Sequence, residues 1–253
     1  MPNSEECRKA LSRGLVAALL ACIAAVQGCA GPAMTAQAEP DGCGLTAAAS
    51  NGWGPPNMTS DFSDSTPSGW NVYSGPGHNG NGRRTPAAVS TSGGILTISA
   101  DGAGNSGGMG WQSGQLHGRW EVCARSTAGA ATYHPVLLLW PDAEDFPVGG
   151  EIDFMEITDP ARQFVEGWLH YGPDDRREGS VVAIDATQWH SWAVEWTPEA
   201  IVYFVDGRPW WRTTNTAHFP PRPMHLCIQL DNFGGDSSQG GQLMVDWARQ
   251  YPA

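Results

Sequence analysis

The sequence predicts an all-β protein, an antiparallel sandwich or jelly roll, and three observations carry that prediction. Short runs of alternating apolar residues, rich in Val, Ile, Trp, Phe and Tyr, recur from about residue 58 between Gly, Pro, Asn and Asp clusters. None of them extends with helical period, so no helices alternate with the strands as a parallel sheet would need. Asp206-Gly207 stands between two such runs and is a strong hairpin signal.

The predicted strands follow in order. Ile95–Ala100 and Arg119–Arg125 come first, then Pro135–Trp140, Gly150–Ile157 and Val165–Tyr171. Ser180–Ile184 and Trp192–Thr197 precede Ile201–Val205, which turns at Asp206-Gly207 into Arg208–Arg212. Met224–Asp231 and Gln242–Tyr251 close the series. There is no internal repeat and no second-domain linker. A chain of 253 residues therefore fits one all-β unit, since such folds run to about 200–250 residues as a single domain.

Charge narrows the partners. The chain has 14 Lys and Arg against 26 Asp and Glu, a formal charge of −12. A nucleic-acid binder needs a basic face to neutralise phosphates, and an acidic protein is repelled by anionic membranes and polymers. A neutral partner fits. The 41% hydrophobic content supports a sizeable core rather than disorder.

The N-terminus reads as an address. Arg8, Lys9 and Arg13 precede the apolar run from Gly14 to Val26. That run is too short for a permanent span, which needs about 20 residues. Val26-Gln27-Gly28-Cys29 resembles a bacterial lipobox, with lipid on Cys29, although Gln27 departs from the usual small residue. Ala36-Gln37-Ala38 offers plain secretion as the alternative. Residues 1–28 are thus assigned to a signal peptide, 29–57 to a flexible tether and 58–253 to the folded domain. The protein is expected to be exported, as a cell-envelope lipoprotein or free, to touch membrane only through that lipid, and to be monomeric.

Removal of the signal and lipidation of Cys29 leave three cysteines. Cys123 and Cys227 both sit in strand patterns and form the preferred disulfide, against the alternative of two free buried thiols. No Cys/His spacing suits zinc.

The most informative segment is Gly149-Gly150-Glu151-Ile152-Asp153-Phe154-Met155-Glu156-Ile157. Burying charge is costly, so three carboxylates among Ile, Phe and Met need a reason. In a regular strand Glu151 and Asp153 share one face and Glu156 takes the other. A β-bulge brings Glu156 round to join them. Two leaning Glu side chains then approach to about 5–6 Å, the spacing of a retaining glycosidase, whereas an inverting pair needs about 6.5–9.5 Å. Crowding raises at least one carboxyl pKa, which suits an acid beside a nucleophile. The competing reading is a solvent-facing acidic strand.

Gly-Glu-Ile-Asp-Phe-Met-Glu resembles the signature of glycoside hydrolase family 16 in its bulged, laminarinase-like form. The resemblance extends over about residues 58–251. Gly118-Arg119-Trp120-Glu121-Val122, Leu137-Leu138-Leu139-Trp140-Pro141 and Leu169-His170-Tyr171 are similar to strands around the family's cleft. Trp189–Pro198, Val205-Asp206-Gly207 and Met244–Arg249 also follow the family's order.

The resemblance implies a bent, concanavalin-like β-jelly roll with a concave substrate cleft. It implies Glu151 as nucleophile, Asp153 as its assistant and Glu156 as acid/base. Glu121, Trp140 and His170 would line the cleft, and Trp111 is a further candidate for sugar contact among strand tryptophans. No cofactor is implied for catalysis, but many members carry a structural Ca²⁺ through a last-strand Asp, here Asp246, against a plain surface Asp. Phe146-Pro147 stands where a Trp-Pro is usual, His134-Pro135 replaces an aromatic-Pro pair, and Cys123 takes a cleft-side position where Arg is common. Arg83-Arg84 reads as a solvated loop pair, with sugar hydroxyls at the cleft edge as its alternative.

The implied activity is an exported, retaining endo-β-glucanase acting on β-1,3 or mixed-linkage glucan, a neutral polysaccharide. The alternatives are a transglycosylase remodelling a cell-wall polysaccharide and a non-catalytic β-glucan-binding module.

Overall fold

A computed structural model describes residues 42–64 and 68–253. The signal peptide and Cys29 lie outside the described residues. Seventeen strands form among those described. They are β1 (Met58–Ser60), β2 (Trp70–Val72), β3 (Gly75–Pro76), β4 (Arg83–Arg84), β5 (Val89–Ser92), β6 (Ile95–Ala100), β7 (Asn105–Trp111), β8 (Gly118–Ser126) and β9 (Tyr133–Pro141). Then come β10 (Glu151–Glu156), β11 (Phe164–Tyr171), β12 (Arg176–Ala183), β13 (His190–Trp196), β14 (Ile201–Val205), β15 (Arg208–Thr213), β16 (Met224–Asn232) and β17 (Gly241–Tyr251).

Two sheets result. The back sheet runs β15-β14-β13-β8-β17-β6-β5, with β1 also paired to β17. The front sheet runs β12-β11-β10-β9-β16-β7-β4-β3, with β2 also paired to β7. Pairing is antiparallel except for β4 with β7. The hairpin joining β14 to β15 turns at Asp206 and Gly207, both at positive φ (48° and 73°), as a primed two-residue turn requires.

Alternation decides what each strand buries. Trp120, Val122 and Ala124 of β8 meet Leu137 and Leu139 of β9, Ile152 and Phe154 of β10, and Leu226 and Ile228 of β16 in one core between the sheets. Trp120, Trp192 and Trp196 are fully buried there. Each large apolar side chain so enclosed contributes about 1.5–3 kcal/mol. The intervening residues of β9, β10 and β16 face outward from the front sheet and form the site described below.

Residues 42–57 do not form a tether. They lie on the outer face of the back sheet, with the short helix α1 (Ala47–Asn51) at their centre. Ala47 and Trp53 pack on Ala193, Val202, Phe204 and Tyr251. Cys43 is bonded to Cys123 of β8 with Cα atoms 5.8 Å apart, so the expected Cys123–Cys227 pairing is wrong. The reason is alternation: Cys123 points away from the core on one sheet, whereas Cys227 points outward from the other. Cys227 is a free, buried thiol.

Candidate active site

The bulge expected in the acidic strand is present. On the β11 side Asp153 pairs with Trp168 and Glu156 with Glu166, three steps on β10 against two on β11. On the β9 side Asp153 pairs with Leu138 and Met155 with Leu137, which isolates Phe154 as the extra residue. Phe154 and Met155 both enter the core. Glu156 therefore regains the face of Glu151 and Asp153, and all three line one cleft of about 630 Å³.

Histidines hold these carboxylates. His170 Nε2 lies 3.3 Å from Asp153 Oδ2, and its Nδ1 lies 2.7 Å from Asp175 Oδ1. His134 Nδ1 lies 3.3 Å from Glu156 Oε1. Glu151, Asp153 and His170 offer atoms within 4.8 Å of one another, the geometry of a metal-binding group. Both His170 nitrogens already face carboxylates, so the trio is accounted for as a hydrogen-bonded cluster.

The charges follow from burial and crowding. Burial, then the negative charges of Asp153 and Glu156, push the Glu151 carboxyl well above the usual range. Burial also raises Asp153, to about 6, although the His170 hydrogen bond pulls against it. Burial works to discharge His170, but its bonds and charge pairing with Asp153 and Asp175 prevail and lift it to about 9. Glu151 and Asp153 thus titrate as a unit.

His170 gives the site a pH signature. With its folded value near 9 and an ordinary value of 6.5, its stabilisation is complete below about 6.5 and disappears as pH rises through about 9. The loss is on the order of 3 kcal/mol. Thermal melts from pH 6 to 10 should show this decline in the wild type and a flatter profile in His170→Phe; equal slopes would contradict it.

Trp140 lines the cleft, its ring stacked on Phe146 at 5.2 Å and its Nε1 donating to Glu144. Other expected contacts are elsewhere. Glu121 is fully buried on the outer face of the back sheet, where it accepts from the Ala47 and Ala48 N–H groups and from Ser191 Oγ. It holds the N-terminal segment and touches no cleft. Trp111 packs in the core on Trp70 at 5.0 Å, is 3% exposed and does not line the cleft around the carboxylates. Cys123 is likewise not on the cleft side. Glu121→Ala should cost about 2–3 kcal/mol by stranding buried donors, with unchanged KM. A raised KM at unchanged stability would restore it to the cleft.

Further side chains complete the walls. Arg84 is not a solvated loop charge: it lines the cleft, pairs with Asp231 (2.6 Å) and donates to Gln229 (2.7 Å). Phe233 is stacked between His78 (4.1 Å) and His134 (3.9 Å). Asp231 and Gln229 carried a readable signal, since they alternate with Leu226, Ile228 and Leu230 along β16.

Asp246 Oδ2 accepts the Gly42 N–H at 2.8 Å, and among the described residues no three carboxylate, imidazole or thiolate side chains converge around it. The side chain closes the N-terminal segment onto β17.

A concave sheet presenting converging carboxylates beside aromatic side chains defines a glycosidase-type cleft. The model of glycosyl hydrolases family 16 matches residues 79–249. The chain belongs to this family. It is 32% identical over 164 residues to a beta-glucanase of Rhodothermus marinus, covering 53% of this chain and 57% of that protein. Xyloglucan endotransglucosylase protein 7 of Diospyros kaki is 26% identical over 184 residues, 67% of this chain and 65% of that protein. The matches thus span 57–65% of the length of these relatives. The solved laminarinase from Rhodothermus marinus aligns with a TM-score of 0.69 at 25% identity, over 78% of this chain and 96% of that chain. The endo-beta-1,3-glucanase from Pyrococcus furiosus shares the fold, with a TM-score of 0.69 at 18% identity, over 78% of this chain and 94% of that chain.

Proposed function

We propose that the protein is a retaining endo-β-glucanase acting on β-1,3 or mixed-linkage glucan. The single observation that carries this reading is the bulge at Phe154, which sets Glu151, Asp153 and Glu156 on one cleft face. Glu151 attacks the anomeric carbon while Glu156 gives its proton to the departing glycosidic oxygen. Asp153, bonded to His170, orients the nucleophile. Glu156 then takes a proton from water, which attacks the glycosyl-enzyme and releases Glu151 with net retention. No cofactor enters either step. Trp140 and Phe146 offer flat apolar faces to pyranose rings, whose hydroxyls meet Gln229, Asn79 and the carboxylates.

The Cys43–Cys123 bond supports export, because disulfides persist in oxidising compartments. Lipidation of Cys29 and a monomeric state belong to the same proposal. The test is reducing-sugar release from laminarin, lichenan, agarose and galactan, with Glu151→Gln as control. Release from laminarin or lichenan alone is expected; no release from any polymer overturns the reading. Transglycosylation is the second reading, favoured by the similarity to xyloglucan endotransglucosylases. Lengthened products after addition of an acceptor oligosaccharide would establish it. A purely binding module is disfavoured because Glu151 and Glu156 are both present.

A further inference from the structure

The cleft is divided by one aromatic residue. Tyr73, just after β2, lies flat on the front sheet above two glycines of β7. A Cβ added at Gly108 would come within 2.8 Å of its Cδ2, and one at Gly110 within 2.7 Å of its hydroxyl. Its N–H donates to Gly108 O (2.9 Å), its hydroxyl donates to Cys227 Sγ (3.1 Å), and the Arg84 guanidinium caps the ring at 5.4 Å. Seated on the two glycines and tied through its N–H, hydroxyl and ring face, Tyr73 stands between two spaces.

On one side of it the main cleft continues toward Arg84, Asp231 and His78. On the other lies a second depression of about 270 Å³, less than half the volume of the first. Asn71, Gln112, Ser113, Asp142 and His225 line it together with Gly110 and Trp111, while Tyr73 and Glu144 belong to both spaces. The side pocket joins polar groups to apolar surface and is braced. Gln112 Nε2 donates to Asn71 Oδ1 (3.3 Å), and His225 Nδ1 lies 2.8 Å from Asp142 Oδ1. Amide, hydroxyl and carboxylate groups match sugar hydroxyls, which both donate and accept. Asp142 and Glu144 disfavour an anionic substituent.

Because Tyr73 and Glu144 border both spaces, a branch point seated beside them can send one arm into each. We propose that Tyr73 forks the substrate cleft and that the side pocket receives a single neutral sugar branching from the polysaccharide backbone. This rests on the β-glucan reading and makes the protein selective for branched over linear glucan.

The experiment is binding without turnover. Glu151→Gln protein is titrated calorimetrically with a linear β-1,3-gluco-oligosaccharide and with the same oligosaccharide carrying one β-1,6-glucosyl branch. The branched ligand is expected to bind about tenfold tighter, equivalent to about 1.4 kcal/mol. Adding Ser113→Trp, on an exposed position that fills the pocket, should abolish the preference. Asn71→Trp, from the facing strand, should do the same, which guards against a local folding defect in either variant. Equal affinity for the two ligands, or a preference surviving both substitutions, overturns the fork. Binding of neither ligand overturns both the fork and the β-glucan specificity. Branch preference in the variant with no cleavage of either ligand by the wild type overturns the hydrolase reading and leaves the fork standing.

Discussion

Glu151→Gln lowers hydrolysis by on the order of a thousandfold or more, since an amide cannot form the glycosyl-enzyme and the remaining groups act only on binding and protonation. The discriminating comparison is with Glu156→Gln. An aryl glycoside whose leaving group departs without protonation needs no general acid. Glu156→Gln should therefore retain a burst of aryl release, while Glu151→Gln loses it on every substrate. A burst in the Glu151 variant would exchange the two roles. The same substitution carries an opposite effect on stability. Because the Glu151 carboxyl is held well above its ordinary value by burial and by its acidic neighbours, its ionised form opposes folding. A neutral amide removes that opposition. The gain, about 0.5–2 kcal/mol as for single stabilising changes elsewhere, should grow as pH rises above the ordinary glutamate value and vanish below it. Urea denaturation at pH 4 and pH 7 measures this, and a loss of stability at pH 7 would contradict it.

Removing the Cys43–Cys123 bond should produce the largest loss of stability. It joins residues 80 apart in sequence. Loop-closure entropy for that length comes to about 4–5 kcal/mol, against 2–5 kcal/mol for native disulfides generally. The Cys43→Ser/Cys123→Ser variant should melt roughly 10 °C lower at this chain size. Its cleft should still cleave substrate at low temperature, because the bond lies on the outer face of the back sheet. Intact mass should rise by two hydrogens on reduction of the wild type and not of the variant. An unchanged melting temperature would mean that the packing of Trp53 and Ala47 alone holds the segment.

The architecture was legible because sandwich strands declare themselves by alternation, and Asp206-Gly207 fixed one hairpin outright. The catalytic trio was legible for a different reason. Glu151, Asp153 and Glu156 cannot share a face in a regular strand, so their spacing implied the extra residue found at Phe154. Alternation, however, separates two faces without saying what covers each. Glu121 and Cys123 of β8 and Trp111 of β7 were assigned to the cleft although the first two face the back and the third faces the core. Cys43 lies in a stretch with no strand pattern, and its pairing depends on a distance that spacing does not carry. Arg84 was hidden because its partners, Gln229 and Asp231, are about 145 residues away in sequence.

Cys227 has a consequence of another kind. The thiol sits beneath Tyr73, buried and pushed up to about 12 by that burial, and it is the only unpaired cysteine among the described residues. At neutral pH it is inert to alkylating and oxidising reagents while the partition stays seated. Its modification rate is therefore set by how often Tyr73 lifts from Gly108 and Gly110, local breathing that costs less than global unfolding. The protein carries in its own sequence a chemical clock for the opening of its substrate floor.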